Sequence, residues 1–173
     1  MKYTTSKEAD KKVEEDMKKK NRRCRCIRCR EIGHKLLKEK IEVDEDSITL
    51  KTIRYTASGG EEIFISLVEE KNDALIGYLR LRDIVNPHRR ELMNHACMII
   101  RELKVVGREI PIGMIGDGWQ HKGFGKILIR EAERICTEDF DKKYLFVLSG
   151  IGVKQYYRTL GFKDEGVYLM KTL

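Results

Sequence analysis

Gln120-His121-Lys122-Gly123-Phe124-Gly125, running on into Lys126-Ile127-Leu128-Ile129-Arg130-Glu131-Ala132-Glu133-Arg134-Ile135, is the stretch on which the fold turns. Its second half carries apolar residues at Ile127, Leu128, Ala132 and Ile135, a stripe that predicts an amphipathic helix over 126–140. Its first half puts glycines where that helix begins. Glycines there uncover backbone amides, and uncovered amides at the positive end of a helix dipole hold phosphate. A pyrophosphate is the expected ligand, taken by Gln120, His121, Lys122, Gly123, Phe124, Gly125 and Lys126. His121 and Lys122 would help to neutralise it, although a solvated loop accounts for both charges equally well. The nucleoside triphosphate loop requires Gly-Lys-Ser/Thr, which is missing here, and a dinucleotide fingerprint would follow the first strand of a βαβ unit.

Upstream, residues 48–57 (ITLKTIRYTA), 62–70 (EIFISLVEE) and 74–85 (ALIGYLRLRDIV) alternate between apolar and polar side chains. Ser-Gly-Gly and Lys-Asn-Asp turns separate them, which predicts three antiparallel strands in meander order. A branched run at 96–107 (ACMIIRELKVVG) reads as a fourth strand. Beyond the helix come a short buried strand at 143–150, a short helix at 153–161 closed by Gly161, and a final strand at 166–173. The class is α+β, with a mixed, mostly antiparallel sheet flanked by helices.

With 173 residues the chain fits one catalytic domain and a short appendage. No run approaches the ~20 apolar residues that span a bilayer, and the first residues lack the apolar core of a signal peptide, so the expected location is the cytoplasm, with no membrane partner. The formal charge of +7 favours partners rich in phosphate, nucleic acid or a coenzyme. Between Lys11 and Lys40 basic residues greatly outnumber acidic ones, the mark of an interaction surface or tail. Residues 6–20 are strong helix formers with Val13 and Met17 almost alone as apolar positions, so that helix is expected to be weakly anchored; Ile32, Leu36, Leu37 and Ile41 then recur at helical spacing. The expected division is a basic, helical, cysteine-rich segment at 1–40 and a catalytic domain at 41–173.

Cys24, Cys26 and Cys29 form a Cys-x-Cys-x-x-Cys cluster among arginines, which favour thiolates. Three thiolates this close suit a tetrahedral zinc. Cys97 is the favoured fourth ligand, since it would tie the segment to the fourth strand, and His34 is the alternative. Cys136, inside the long helix, reads as a core thiol. His88 and His95 are expected in a surface loop, and Trp119 is undecided between core and ligand.

The order of branched strand, Gln-x-x-Gly-x-Gly at a helix start, following strand and Tyr156-Tyr157-Arg158-Thr159-Leu160-Gly161-Phe162 resembles the GNAT acetyltransferase superfamily. The resemblance implies an acetyl-coenzyme A site in which the strand 99–106 splays from its neighbour, and the backbone around Leu103 and Val105 receives the pantetheine arm. It assigns Tyr157 as general acid to the leaving thiolate, with a core role as the alternative, and brings Tyr156 close to the cofactor. Glu102 is a candidate general base, or a solvated residue if alternation turns it away.

The blocks Arg23-Cys24-Arg25-Cys26-Ile27-Arg28-Cys29-Arg30-Glu31-Ile32-Gly33, 75–82, 100–107, 120–125 and 148–158 narrow the resemblance to the catalytic subunit of Elongator, of archaeal or bacterial type. That family modifies the wobble uridine of tRNA, and the resemblance implies an acetyl-coenzyme A binding and hydrolysing lobe that supplies the acetyl group for 5-carboxymethyluridine. S-adenosylmethionine and an iron–sulfur cluster would belong to a radical domain, whose Cys-x-x-x-Cys-x-x-Cys motif this sequence lacks; the chain is therefore expected to be a truncated piece or a short form. Partners implied are tRNA, acetyl-coenzyme A, and the radical domain or other Elongator-like copies. Two alternatives stand: protein or small-amine N-acetylation, and a catalytically silent tRNA-binding module with the GNAT fold.

Overall fold

The structure, a computed structural model, describes residues 6–106 and 123–173. Gln120, His121, Lys122 and Trp119 lie outside the described residues. Among those described, seven strands form one sheet in the order β1-β2-β3-β4-β5-β7-β6. They are β1 (Ile48–Ala57), β2 (Gly60–Glu69), β3 (Ala74–Asp83), β4 (Cys97–Val105), β5 (Tyr144–Val147), β6 (Lys163–Glu165) and β7 (Tyr168–Thr172). Every pairing is antiparallel except that of β4 with β5. The α+β class and the mixed, mostly antiparallel sheet flanked by helices are therefore present.

The predicted meander folds as its turns dictate. Ser58 and Gly59 both take positive φ, 50° and 71°, between Ala57 and its partner Gly60. A two-residue loop with that geometry matches the right-handed twist of the strands it joins. Two bulges follow, at Ile76 in β3 and at Arg101 in β4, where one extra residue slips into the register.

Helix α4 (Phe124–Arg134) lies across one face of the sheet, termed the front face, and continues as a π turn through Ile135–Asp139. Its buried stripe is Phe124, Leu128, Ile129 and Ala132, continued by Ile135 and Cys136. The stripe expected from sequence has Ile127 in place of Ile129. Ile127 is 42% exposed, because at 100° per residue it stands on the opposite flank of a stripe centred between Leu128 and Ala132. Opposite α4, Ile63, Ile65 and Leu67 of β2, Leu79 and Leu81 of β3, and Met98 and Ile100 of β4 complete the core. Strand β6 has no counterpart in the sequence pattern, since Lys163-Asp164-Glu165 carries no alternation; it exists because Gly166, at φ 60°, turns the chain back into β7.

The N-terminal segment holds α1 (Ser6–Lys19), α2 (Ile27–Arg30) and α3 (Ile32–Glu39). Val13 of α1 is 58% exposed. By contrast, α2 and α3 are fastened to the sheet and to the turn between β2 and β3. Ile32 enters the main core, Lys35 Nζ donates to Asn72 O at 2.8 Å, and Arg30 Nη2 meets Asp73 Oδ1 at 2.9 Å. His95 packs edge-on against Tyr144 with ring centroids 4.6 Å apart, and Leu92 beside it is buried, so the loop 84–96 covers part of the back face instead of standing in solvent at His95.

Candidate functional site

The site begins where β4 outruns β5. The parallel pairing stops at Ile100 opposite Val147, while β4 continues to Val105. Residues 101–105 keep β3 on one side and, among the described residues, have no strand partner on the other, so one row of their backbone groups lies along a free edge, termed the groove. Leu103 and Val105 turn their side chains into the front-face core, leaving their main chain as the part available to a ligand.

At the far end of that groove α4 starts. Gly123 has φ 79°, a left-handed conformation that glycine adopts without strain, and its carbonyl accepts from the amides of Lys126 at 2.9 Å and Ile127 at 3.2 Å. The Gly125 amide thus lies ahead of the helical ladder, at the positive end of the helix dipole. The Lys126 amide closes the turn, and its contribution is an exposed ammonium in the first turn. Gly125 is also required sterically. A Cβ placed there would stand 2.6 Å from the hydroxyl oxygen of Tyr156 and 3.8 Å from Val105 Cγ2. Gly125, Tyr156 and the end of β4 are therefore neighbours, a cradle that any larger side chain would fill.

Tyr156 and Tyr157 sit on α5 (Lys154–Thr159), which follows β5 across the groove from α4. They differ in placement. Tyr157 is 5% exposed and packs edge-on between Tyr156 and Phe162, with ring centroids 5.5 Å from each. Tyr156 is half-buried and brings its hydroxyl to the start of α4. Burial raises the pKa of both phenols, that of Tyr157 to about 12, with the neighbouring Tyr156 adding to it. Both stay protonated at neutral pH.

Glu102 points to the opposite, back face. It accepts from Tyr78 Oη at 2.6 Å, and Arg80 Nη1 lies 3.7 Å from its other oxygen. The side chain remains 42% exposed, so the carboxylate is held in place yet reachable from solvent. Next to it Glu62, with a side chain 2% exposed, receives Arg82 Nη1 at 3.0 Å and Arg101 Nη1. Burial opposes ionisation of Glu62, but the hydrogen bonds from Arg101 and Arg82 outweigh it and hold the carboxyl below its ordinary value. This network is absent from the sequence-based expectations. Its signal is the alternation Leu79-Arg80-Leu81-Arg82, which puts two guanidinium groups on one face, with Arg101 continuing the alternation of Cys97 and Ile99; the bulge that turns Glu102 to the same face has no signature in sequence.

The cysteine cluster forms a second constellation. The sulfurs of Cys24, Cys26 and Cys29 all lie within 4.8 Å of one another. A tetrahedral zinc with bonds of about 2.3 Å places its sulfurs about 3.8 Å apart, so the three fit one ion after a small contraction. Cys26 caps α2, its sulfur accepting from the Cys29 amide at 3.4 Å. That bond is the main cause lowering the Cys26 pKa; the arginines expected to do so are not the chief cause. Burial and the neighbouring sulfurs push Cys29 up to about 12, the opposite tendency, which a cation between them would reverse. Among the described residues no fourth histidine, cysteine or carboxylate joins the group. Cys97, expected as fourth ligand, is fully buried with Leu92, Phe146 and Tyr168. Its thiol is pushed up to about 11 by that burial, and alternation along β4 turns it into the back-face core instead of toward the segment. Cys136 is likewise a core thiol.

No model of a protein family matches the chain. Curated relatives do. The tRNA uridine(34) acetyltransferase of Methanocaldococcus infernus is 49% identical over 159 residues, covering 91% of this chain and 30% of the relative. Elongator complex protein 3 of Schizosaccharomyces pombe is 39% identical over 153 residues, covering 87% of the chain and 28% of the relative. The chain thus spans under a third of the length of either. Among solved structures, the archaeal Methanocaldococcus infernus Elp3 lacking residues 1–46 of its N-terminus superposes with a TM-score of 0.85 at 48% identity, over 94% of this chain and 38% of that one. The AtaT toxin, bound to the C-terminus of the antitoxin AtaR, shares only the fold, with a TM-score of 0.52 at 14% identity. By sequence along nearly its whole length and by superposition, the chain is a close homologue of a GNAT-fold stretch of the tRNA uridine(34) acetyltransferases and Elongator complex protein 3.

Proposed function

We propose that this chain is the acetyl-coenzyme A binding and hydrolysing lobe of an enzyme that modifies the wobble uridine of tRNA in the cytoplasm. The observation that carries the reading is the strand β4 running past its parallel partner directly beside the glycine start of α4. When bound, acetyl-coenzyme A supplies the acetyl group as a thioester. The N-terminal turn of α4, at Gly123, Phe124 and Gly125 with the Lys126 ammonium, binds the pyrophosphate. The free edge of residues 101–105 takes the extended pantetheine chain as a strand takes its neighbour, and a backbone N–H there polarises the thioester carbonyl. Gln120, His121 and Lys122 belong to the same phosphate loop.

Tyr156 takes the role of general acid, donating its phenolic proton to the departing thiolate sulfur; Tyr157 stands behind it and fixes its ring. A phenol kept protonated by burial suits a sulfur that becomes basic only as the C–S bond breaks. Glu102, oriented by Tyr78 and Arg80, acts from the back face as base to the incoming oxygen nucleophile, water in hydrolysis. Cys24, Cys26 and Cys29 would hold zinc, which would pin the chain before α2 to that helix, next to α3 and the turn at Asn72–Asp73. The tRNA partner is inferred from the relatives' names and the basic charge.

The test is calorimetry with acetyl-coenzyme A, followed by a thiol-release assay with and without tRNA. Heat of binding at submillimolar ligand is expected, and its loss in Gly123→Glu, where a carboxylate enters the phosphate turn. Tyr156→Phe should keep the affinity and slow thiol release by about 10²-fold. No heat at millimolar ligand overturns the reading; release driven by lysine peptides and indifferent to tRNA would select amine acetylation instead.

A further inference from the structure

Opposite α4 and α5 the sheet presents a second charged surface. Arg80 and Arg82 alternate with core leucines, so both fall on the back face, and the bulge sets Arg101 beside Glu102 there. Lys104 pairs with Tyr78 in register, which places it on the same face, exposed. Four cations thus stand against two carboxylates, Glu62 and Glu102. Glu62 is the pivot: Arg82 Nη1 and Arg101 Nη1 bond one of its oxygens, and Arg80 Nη2 lies 3.5 Å from the other.

One buried carboxylate cannot neutralise three guanidinium groups, but it can fix where they stand. Each guanidinium has five N–H donors, and the side chains of Arg80 and Arg101 remain 35% and 44% exposed, with donors left to face outward. Tyr55 lies opposite Glu62 across the β1–β2 register, is 40% exposed and neighbours Arg80. Fixed guanidinium groups beside an exposed aromatic ring are what single-stranded nucleic acid needs, the phosphates meeting charge and a base stacking on the ring. The location adds to this. Arg101, Glu102 and Lys104 belong to the segment of β4 whose free edge faces the coenzyme groove, so an acceptor approaching from the back passes over them.

We propose that the back face of β3 and β4, through Arg80, Arg101 and Lys104 with Tyr55 as a stacking surface, binds the phosphate backbone of a single-stranded RNA loop and delivers the acceptor nucleoside to the unpaired part of β4. Glu62 is a positioning residue for these arginines. The assignment deepens the coenzyme function and rests on it for the direction of delivery.

Fluorescence anisotropy of the full chain with a labelled RNA stem-loop, at several salt concentrations, tests it. Each cation–phosphate contact on a single strand adds about 0.7 to the slope of log affinity against log salt, so the triple variant Arg80→Gln, Arg101→Gln, Lys104→Gln should lose about 2 from that slope. Lys104→Gln alone, at an exposed position, should lose about 0.7 with its melting temperature unchanged, which keeps the result readable if the triple variant folds poorly. Tyr55→Ala should weaken binding at constant slope. An unchanged slope in Lys104→Gln and in the triple variant overturns the proposal, and so does a wild-type chain without RNA affinity at low salt, which would leave this face to a protein partner. Calorimetry with acetyl-coenzyme A on the same proteins separates the two readings. Coenzyme binding with RNA binding indifferent to these substitutions sinks the face alone; absent coenzyme binding sinks the coenzyme reading, while the salt slopes still judge the face.

Discussion

At the scale of single residues, two tyrosines adjacent in sequence have different surroundings because an α5 of six residues presents them on different sides. Tyr157 meets Phe162 and the core; Tyr156 meets Gly125. The contact of Tyr156 with Gly125 is testable without any ligand. Gly125→Ala gains helix propensity worth up to about 1 kcal/mol, but its methyl meets the Tyr156 hydroxyl, and overpacking of that kind costs about 1–3 kcal/mol. Urea denaturation should therefore find Gly125→Ala destabilised in the wild type and nearly neutral, or stabilised, in Tyr156→Phe. Equal cost in both backgrounds would mean that the hydroxyl is not against the helix start. The sequence singled out both Tyr156 and Tyr157, with Tyr157 as general acid; that Tyr156 is the one beside the start of α4 was not legible, because one residue of helical rotation decides it.

Among the elements, α4 carries the most of both core and site, since the same helix buries Leu128 and Ile129 under the sheet and points its first turn at the groove. The stripe read from sequence and the stripe in the structure differ at one position, and stability measurements can tell them apart. Leu128→Ala should cost about 2–5 kcal/mol, the range for emptying a closed core position, whereas Ile127→Ala should cost under about 1 kcal/mol. Comparable losses at both positions would mean that Ile127 is buried as deeply as Leu128. For the strands, alternation and turn residues were enough to anticipate the meander from β1 to β3. The end of β4–β5 pairing at Ile100, which opens the groove, depends on β5 being only four residues long; the apolar run at 143–150 had suggested a longer strand.

For the whole molecule, the cysteine segment and the sheet share a core through Ile32 and a polar seam at Asn72 and Asp73. If zinc closes the cluster, part of that seam's order comes from the metal, since ligand binding and local folding are coupled. Removing metal with a chelator, or replacing Cys26 by Ser, should speed amide exchange in α2 and α3 by about tenfold or more, equivalent to about 1.4 kcal/mol, while β2 and β4 keep their protection. Exchange indifferent to chelation, in a protein carrying no zinc, would show that packing alone holds the segment.

What the sequence by itself determined is local in origin: an amphipathic helix preceded by glycines, a three-strand meander set by its turn residues, and three cysteines close enough along the chain to meet. Tertiary structure alone decided the rest. Cys97 went to the back-face core because the strand period, not its chemistry, sets its direction, and Tyr156 reached Gly125 because α5 packs across the groove from α4. Arg80, Arg82 and Arg101 came to surround Glu62 because the register of β2, β3 and β4 sets their back-face positions side by side, and the bulge in β4 turned Glu102 to join them. Contacts between residues 18 to 39 positions apart along the chain depend on register and packing angle, and those are settled only when all the layers close on one core.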